Sequence, residues 1–170
     1  MNIEIIDYEP RYRDAIRLLS EAWLKEFFHV EPVDTVVLGD PEGQILDKGG
    51  HIYYARAESG EIIGVACLIP EEDGVYELSK MGVDKRFQGL GIGRRLAERC
   101  IEKAREICAR KLILSSNTSL ERAIQLYRNL GFKEIEIEEK HYDRANIMME
   151  LNLMDQRHSR YGFLNTKFWY

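Results

Sequence analysis

The chain has 170 residues, 45% of them hydrophobic and 31% charged, with a formal net charge of -5. A length of this order makes one domain that buries about two-thirds of its unfolded surface. The acidic balance speaks against a nucleic-acid backbone as partner, no apolar run is long enough to span a bilayer, and residues 1–20 lack the apolar block of a secretory signal.

Residues 2–7 read as a first strand, and Ile16, Leu19, Trp23 and Phe27 then recur at helical spacing, which predicts a helix over 11–28 with these side chains in the core. A short helical piece follows Pro32, and Asp40-Pro41 opens another that Gly49-Gly50 ends. Three β-type segments come next, at 51–57, 61–69 and 75–83, separated by Ser59-Gly60 and by Glu72-Asp73-Gly74. The acidic run Glu71-Glu72-Asp73 reads as a solvated hairpin tip. A glycine-rich loop leads into a helix over 92–109 with the inner stripe Leu96, Ala97, Cys100, Ile101 and Ala104. Then come a buried strand at 112–114, a helix over 120–130 with Ser119 as its cap and Gly131 as its stop, and closing strands at 132–138 and 147–153. This order makes an α/β (α+β) domain with a mixed, mainly antiparallel sheet and helices on its faces. The three cysteines Cys67, Cys100 and Cys108 have no Cys-x-x-Cys spacing and read as small core hydrophobes in a reduced, cytoplasmic protein.

The loop from Val83 to Leu96 carries the chemistry. Gly89, Gly91 and Gly93 remove side chains, and the helix behind them turns its free N–H groups and positive dipole end toward the loop, so the segment suits a phosphate or pyrophosphate. A Walker loop needs Gly-Lys-Ser or Gly-Lys-Thr, and nothing follows Gly93 in that way. A dinucleotide fingerprint needs a third glycine where this chain has Arg94 or Leu96.

The remaining pattern, Gln88-x-x-Gly91-x-Gly93, resembles the pyrophosphate loop of the GNAT superfamily of N-acetyltransferases. So do an asparagine, Asn117, after the fifth strand and the run Ala123-x-x-Leu126-Tyr127-x-x-x-Gly131-Phe132. Text similar to Glu77-Leu78-Ser79-Lys80-Met81, Ser116-Asn117-Thr118 and Arg144-Ala145-Asn146-Ile147 occurs in a bacterial subset. The resemblance covers about 1–153, with its specific motifs between 77 and 132. It implies six or seven strands with about four helices over 1–154.

The resemblance also implies an acyl-CoA-dependent enzyme that moves an acetyl group from acetyl-CoA to a primary amine by direct transfer, with no metal. The backbone of Gln88, Gly89, Leu90, Gly91, Ile92, Gly93 and Arg94 would hold the pyrophosphate, helped by the charges of Lys85, Arg86, Arg94 and Arg95. The pantetheine arm would lie along Met81, Gly82 and Val83, where a bulge at Gly82 would aim one N–H at the thioester oxygen; Gly82 can equally make room for a neighbouring side chain. Asn117 would bond the arm, or cap its own turn. Tyr127 would be the general acid for the leaving thiolate, against the reading of a core aromatic.

Glu77 is the candidate base, with its pKa raised by partial burial, against the reading of a surface pair with Lys80. Strand alternation puts Glu77, Ser79 and Met81 on one face and Leu78, Lys80 and Gly82 on the other. His51 and His141 are rival bases. Glu31 and Asp34 would attract a cationic amine. The acceptor is a small-molecule or a protein amine, with neither nucleic acid nor membrane as partner. A non-catalytic acyl-CoA-binding regulatory module is the rival function. Residues 155–170, rich in aromatics, fall outside the resemblance and are expected to pack on the domain or on a second subunit of a homodimer.

Overall fold

The computed structural model describes residues 1–154. Seven strands, β1 (Ile3–Asp7), β2 (His51–Ala57), β3 (Ile62–Glu72), β4 (Val75–Val83), β5 (Lys111–Ser116), β6 (Lys133–Ile135) and β7 (Ile147–Asn152), form one sheet in the order β1-β2-β3-β4-β5-β7-β6. Neighbours are antiparallel except β4 and β5, which run parallel. A parallel pair needs a long crossover, and helix α3 (Ile92–Glu106), numbered after α1 (Arg13–Phe27) and α2 (Pro32–Gly39), supplies it. Helix α4 (Glu121–Asn129) follows β5.

The sheet has a core on each face. On one, the α3 stripe Ile92, Leu96, Ala97, Cys100, Ile101 and Ala104 packs on Ala66, Leu68 and Leu78, and Ile124 and Tyr127 of α4 join it. On the other, Ile16 of α1 and Leu38 of α2 meet Ile52, Tyr54, Val65 and Cys67. Each fully buried Leu or Ile contributes about 1.5–3 kcal/mol, enough to override the modest strand propensity of residues such as Ala66. No helix among the described residues is long and apolar enough to cross a membrane.

Several expectations shift. The piece opened by Asp40-Pro41 is a single π-helical turn, Glu42–Leu46, with the Asp40 carboxylate accepting from Gly43 N–H at 3.1 Å. Helix α3 stops at Glu106, because Cys108 takes a left-handed φ of 60°; this also leaves Cys108 exposed while Cys67 and Cys100 are buried. Ser119 does not cap α4: the first helical turn has no side-chain cap, and Asn117 Oδ1 accepts from Ser119 N–H at 2.9 Å instead. The strand at 132–138 shrinks to Lys133–Ile135, the stretch that pairs with β7. Phe27, expected inside, is 54% exposed at the end of α1. The expectation for residues 155–170 falls outside the described residues.

Two irregularities interrupt the middle of the sheet. Strand β4 pairs with β5 only at Val75, Tyr76 and Glu77, while β5 stays on β7 as far as Ser116 and β4 stays on β3 as far as Val83. The two strands therefore splay apart, and the outer half of β4 offers a bare edge to the gap. The second irregularity is a bulge: Val65 faces Gly82 but Cys67 faces Ser79, so β4 carries one extra residue there, and Lys80 has a φ of 52°.

Candidate active site

The bulge overturns the strand alternation. Tyr76 and Leu78 pack toward α3 as period-two spacing requires, but beyond Lys80 the parity flips, and Met81 and Val83 pack toward α3 while Gly82 faces Trp23 of α1. Lys80 is left beside Ser79, both lining one cavity. Gly82 is not the bulged residue. A Cβ there would meet Trp23 Cδ1 at 3.1 Å and Nε1 at 3.3 Å, so the glycine makes room for the indole. Gly82→Val is expected to lower stability by about 1–3 kcal/mol in a denaturant melt, since branched carbons would drive Trp23 out of place.

The gap between β4 and β5 opens into a cavity of about 820 Å³, its mouth included. Glu77, Met81, Asn117 and Tyr127 line it, with Ser20, Trp23 and Phe28 from the α1 side. A larger groove runs from it along Met81, Gly82, Val83, Gln88, Gly89, Gly91, Ile92, Gly93 and Arg94. Cavity and groove share Trp23, Met81, Leu120 and Ala123 as walls, so they are continuous. Of the residues expected at a cofactor, Leu90 alone lines neither and is 56% exposed.

At the outer end of the groove Gly91, with a φ of 76°, precedes the first turn of α3, and the first helical bond runs from Arg95 N–H to the Gly91 carbonyl at 3.1 Å. The N–H groups of Ile92, Gly93 and Arg94 are thus without intrahelical acceptors and available to an anion. Of the nearby cations, Lys85 is paired with Glu26, Arg86 with Asp84 and Glu61, and Arg94 with Glu98, leaving Arg95 without an ion pair among the described residues.

Asn117 caps its own turn, the second of the two readings: its Oδ1 accepts from Ser119 N–H at 2.9 Å, and its Nδ2 donates to the Arg144 carbonyl at 2.8 Å. Asn146 reinforces this stitch by accepting from Thr118 N–H at 2.9 Å and donating to the Ser116 carbonyl at 3.0 Å. Tyr127 is 8% exposed, packs edge-on against Phe132, and its hydroxyl has no hydrogen-bond partner among the described residues. Burial pushes its pKa up to about 12, so the phenol stays protonated.

Glu77 is no surface residue and makes no ion pair with Lys80. It is 4% exposed, and His141 Nδ1 lies 3.3 Å from its Oε2. Burial alone would raise its pKa, but hydrogen bonds from His141 and Glu71 and the charges of His141 and Lys80 outweigh burial and hold it below the usual carboxylate range. The expected upward shift is therefore reversed. The displaced proton resides on its neighbours: the hydrogen bond to Glu77 carries His141 to about 9, and burial and contact with Glu77 carry Glu71 to about 7. Glu71 is accordingly more than a hairpin tip. The ligand atoms of Glu71, Glu77 and His141 lie within 4.8 Å of one another, and a cation there would compete with the proton on His141. His51, the other rival base, stacks on Tyr53 and lies outside the cavity.

The protonated His141 stabilises the folded state. A folded-state pKa raised from 6.5 to about 9 adds stability that is fully present below pH 6.5 and lost as pH rises through 9. The difference in Tm between the wild type and His141→Gln should be largest at pH 6 and vanish above about pH 9.5. A pH-independent difference would show that His141 acts through packing alone.

A second polar cluster was not legible beforehand. Asp34, fully buried, accepts from Lys80 Nζ at 2.8 Å and from Arg144 through both terminal nitrogens, at 2.7 and 2.9 Å. Glu31 accepts from Arg144 at 2.7 Å and from Asp143 N–H at 2.7 Å, and Lys80 also donates to Tyr142 at 3.3 Å. Burial works against the Asp34 charge, but the Arg144 and Lys80 bonds overcome it and hold the carboxyl at about 2. Glu31 and Asp34 are therefore consumed by internal cations and do not wait for an external amine.

Residues 12–132 match the family model described as the acetyltransferase (GNAT) family. The chain is 33% identical over 96 residues to the uncharacterized N-acetyltransferase YjgM of Escherichia coli K12, a match covering 55% of this chain and 58% of that protein. It is 28% identical over 136 residues to the N-acetylaspartate synthetase of Xenopus tropicalis, covering 78% of this chain and 50% of that one. The chain thus spans between half and three-fifths of the length of these relatives. Among solved structures, an acetyltransferase of the GNAT family from Staphylococcus aureus Mu50 superposes with a TM-score of 0.82 at 26% identity, over 89% of this chain and 99% of the other.

Proposed function

The chain belongs to the acetyltransferase (GNAT) family; from that premise we propose that it is an acyl-CoA-dependent enzyme that moves an acetyl group from acetyl-CoA directly to a small primary amine in a ternary complex. The observation that carries this reading is the continuity of the groove, which ends in free helix N–H groups, with a cavity that holds both Tyr127 and Glu77.

In this reading the pyrophosphate sits on the N–H groups of Ile92, Gly93 and Arg94, and the amide-rich pantetheine arm pairs with the bare edge of β4 in the splay. The thioester then lies between Met81 and Tyr127. A backbone N–H turned inward by the Lys80 bulge stabilises the oxyanion, an effect worth about 3 kcal/mol. The amine nitrogen forms a bond to the thioester carbon, and the tetrahedral intermediate collapses with cleavage of the carbon–sulfur bond. The proton lost by the amine passes to Glu77, directly or through water, and the departing sulfur takes its hydrogen bond and finally a proton from the side of Tyr127.

Calorimetry with acetyl-CoA, followed by mass spectrometry of a metabolite extract incubated with protein and acetyl-CoA, tests the whole reading. Binding together with at least one newly acetylated amine is expected. Binding without any product would return the protein to a regulatory coenzyme-binding module, and absence of binding would end the proposal. One relative is named for an acetylated amino acid, but this chain matches half of that protein's length, so its own cavity has to speak for the acceptor.

A further inference from the structure

We propose that the acceptor is a small zwitterion, a primary amine that carries its own carboxylate. This rests on the reading of the cavity as the acceptor site, and it follows from a mismatch between donors and acceptors on the cavity wall.

The acceptors around Arg144 are already used. Asp34 takes four hydrogen bonds, from Lys80, from both Arg144 terminal nitrogens and from Glu31 N–H. Glu31 spends one oxygen on Arg144 and the other on Asp143 N–H. The donors are not used up. Ser20 is 1% exposed, and neither its Oγ nor the buried Trp23 Nε1 has a hydrogen-bond partner among the described residues. Arg144 spends both hydrogens of Nη1 and one of Nη2, which leaves Nε–H and one Nη2–H over. Lys80 spends two of its hydrogens, on Asp34 and Tyr142, and keeps a third. All four side chains line the same cavity.

Buried donors without acceptors are costly, so a ligand that supplies oxygen lone pairs is favoured over one that does not. A carboxylate supplies about four lone-pair sites in a plane that matches a guanidinium edge. The opposite need is met at Glu77, whose charge is held on and which lines the same cavity, so it can receive an ammonium. The charges of the buried cluster agree: Glu31 and Asp34 are balanced by Lys80 and Arg144, and a zwitterion adds no net charge to that balance. A polyamine would bring extra positive charge to unmatched donors. A protein N-terminus would bring a neutral amide carbonyl where the carboxylate is wanted. The carboxylate takes no part in the transfer and leaves unchanged on the acetylated product.

The test is thiol release from acetyl-CoA by the full chain with three matched sets of acceptors: the free standard amino acids, their carboxamides, and their decarboxylated amines, with short peptides as a further set. At least one free amino acid should exceed its carboxamide and its amine in kcat/KM by about tenfold or more, the size expected when a charge-assisted pair is lost. For that substrate Ser20→Ala, which removes a hydroxyl with no partner among the described residues, should raise KM with kcat and acetyl-CoA affinity held. Turnover of amines, carboxamides or peptides at or above the level of every free amino acid would overturn the proposal while leaving the transferase reading in place. No turnover with any set would overturn both.

Discussion

Tyr127→Phe should lower kcat by about ten- to a hundredfold while leaving acetyl-CoA affinity and Tm nearly unchanged. The magnitude follows from the state of the phenol. Burial raises its pKa to about 12, so the phenol is a weak acid and holds its proton while charge builds on sulfur. What the hydroxyl offers early in the reaction is a charge-assisted hydrogen bond to sulfur as negative charge builds, worth about 1.5–3 kcal/mol. Stability should hardly respond, because the hydroxyl bonds to nothing among the described residues and the ring keeps its contact with Phe132. Steady-state kinetics beside calorimetry separates the outcomes: unchanged kcat would make Tyr127 a packing residue, and a parallel fall in coenzyme affinity would make it a binding one.

Asp34→Ala should have the largest effect on stability of any single change at the site, about 3–5 kcal/mol. It would strand two cations: the Lys80 side chain is 4% exposed and that of Arg144 is 11% exposed, so water cannot replace the lost carboxylate. In a domain of this size that corresponds to a fall in Tm of roughly 10 °C. Asp34→Asn keeps an acceptor for one donor and should fall between the two. If Asp34→Ala melted within 2–3 °C of the wild type, roughly 1 kcal/mol, the cluster would not be a coupled unit.

Local order was readable from the amino acids alone. The α3 stripe, the turns at Gly60 and Gly74 and the stop at Gly131 rest on periodicity and on glycines that adopt φ values of 88°, 74° and 99°. The loop from Gln88 to Arg94 was readable for the same reason, since its function lies in the backbone. The polar chemistry of the cavity was not. Asp34 and Arg144 are separated by 110 positions, and Glu77 and His141 by 64, and no spacing rule links groups at such distances. The decisive case is Lys80. A left-handed lysine leaves no trace in composition, yet that one backbone angle moves a charged side chain to the other face of the sheet. The signal available in advance was Trp23 opposite a mid-strand glycine, a large side chain and a missing one.

The splay between β4 and β5 makes this sheet two sheets held at one end. The β1–β4 half and the β5–β7 half share three register pairs, Val75 with Lys111, Tyr76 with Leu112 and Glu77 with Ile113. A coenzyme arm lying in the gap would complete the fabric as an eighth, non-peptide strand. Amide exchange along Leu78–Val83 would then slow on loading, and the protein's resistance to proteases would rise and fall with the supply of its own co-substrate.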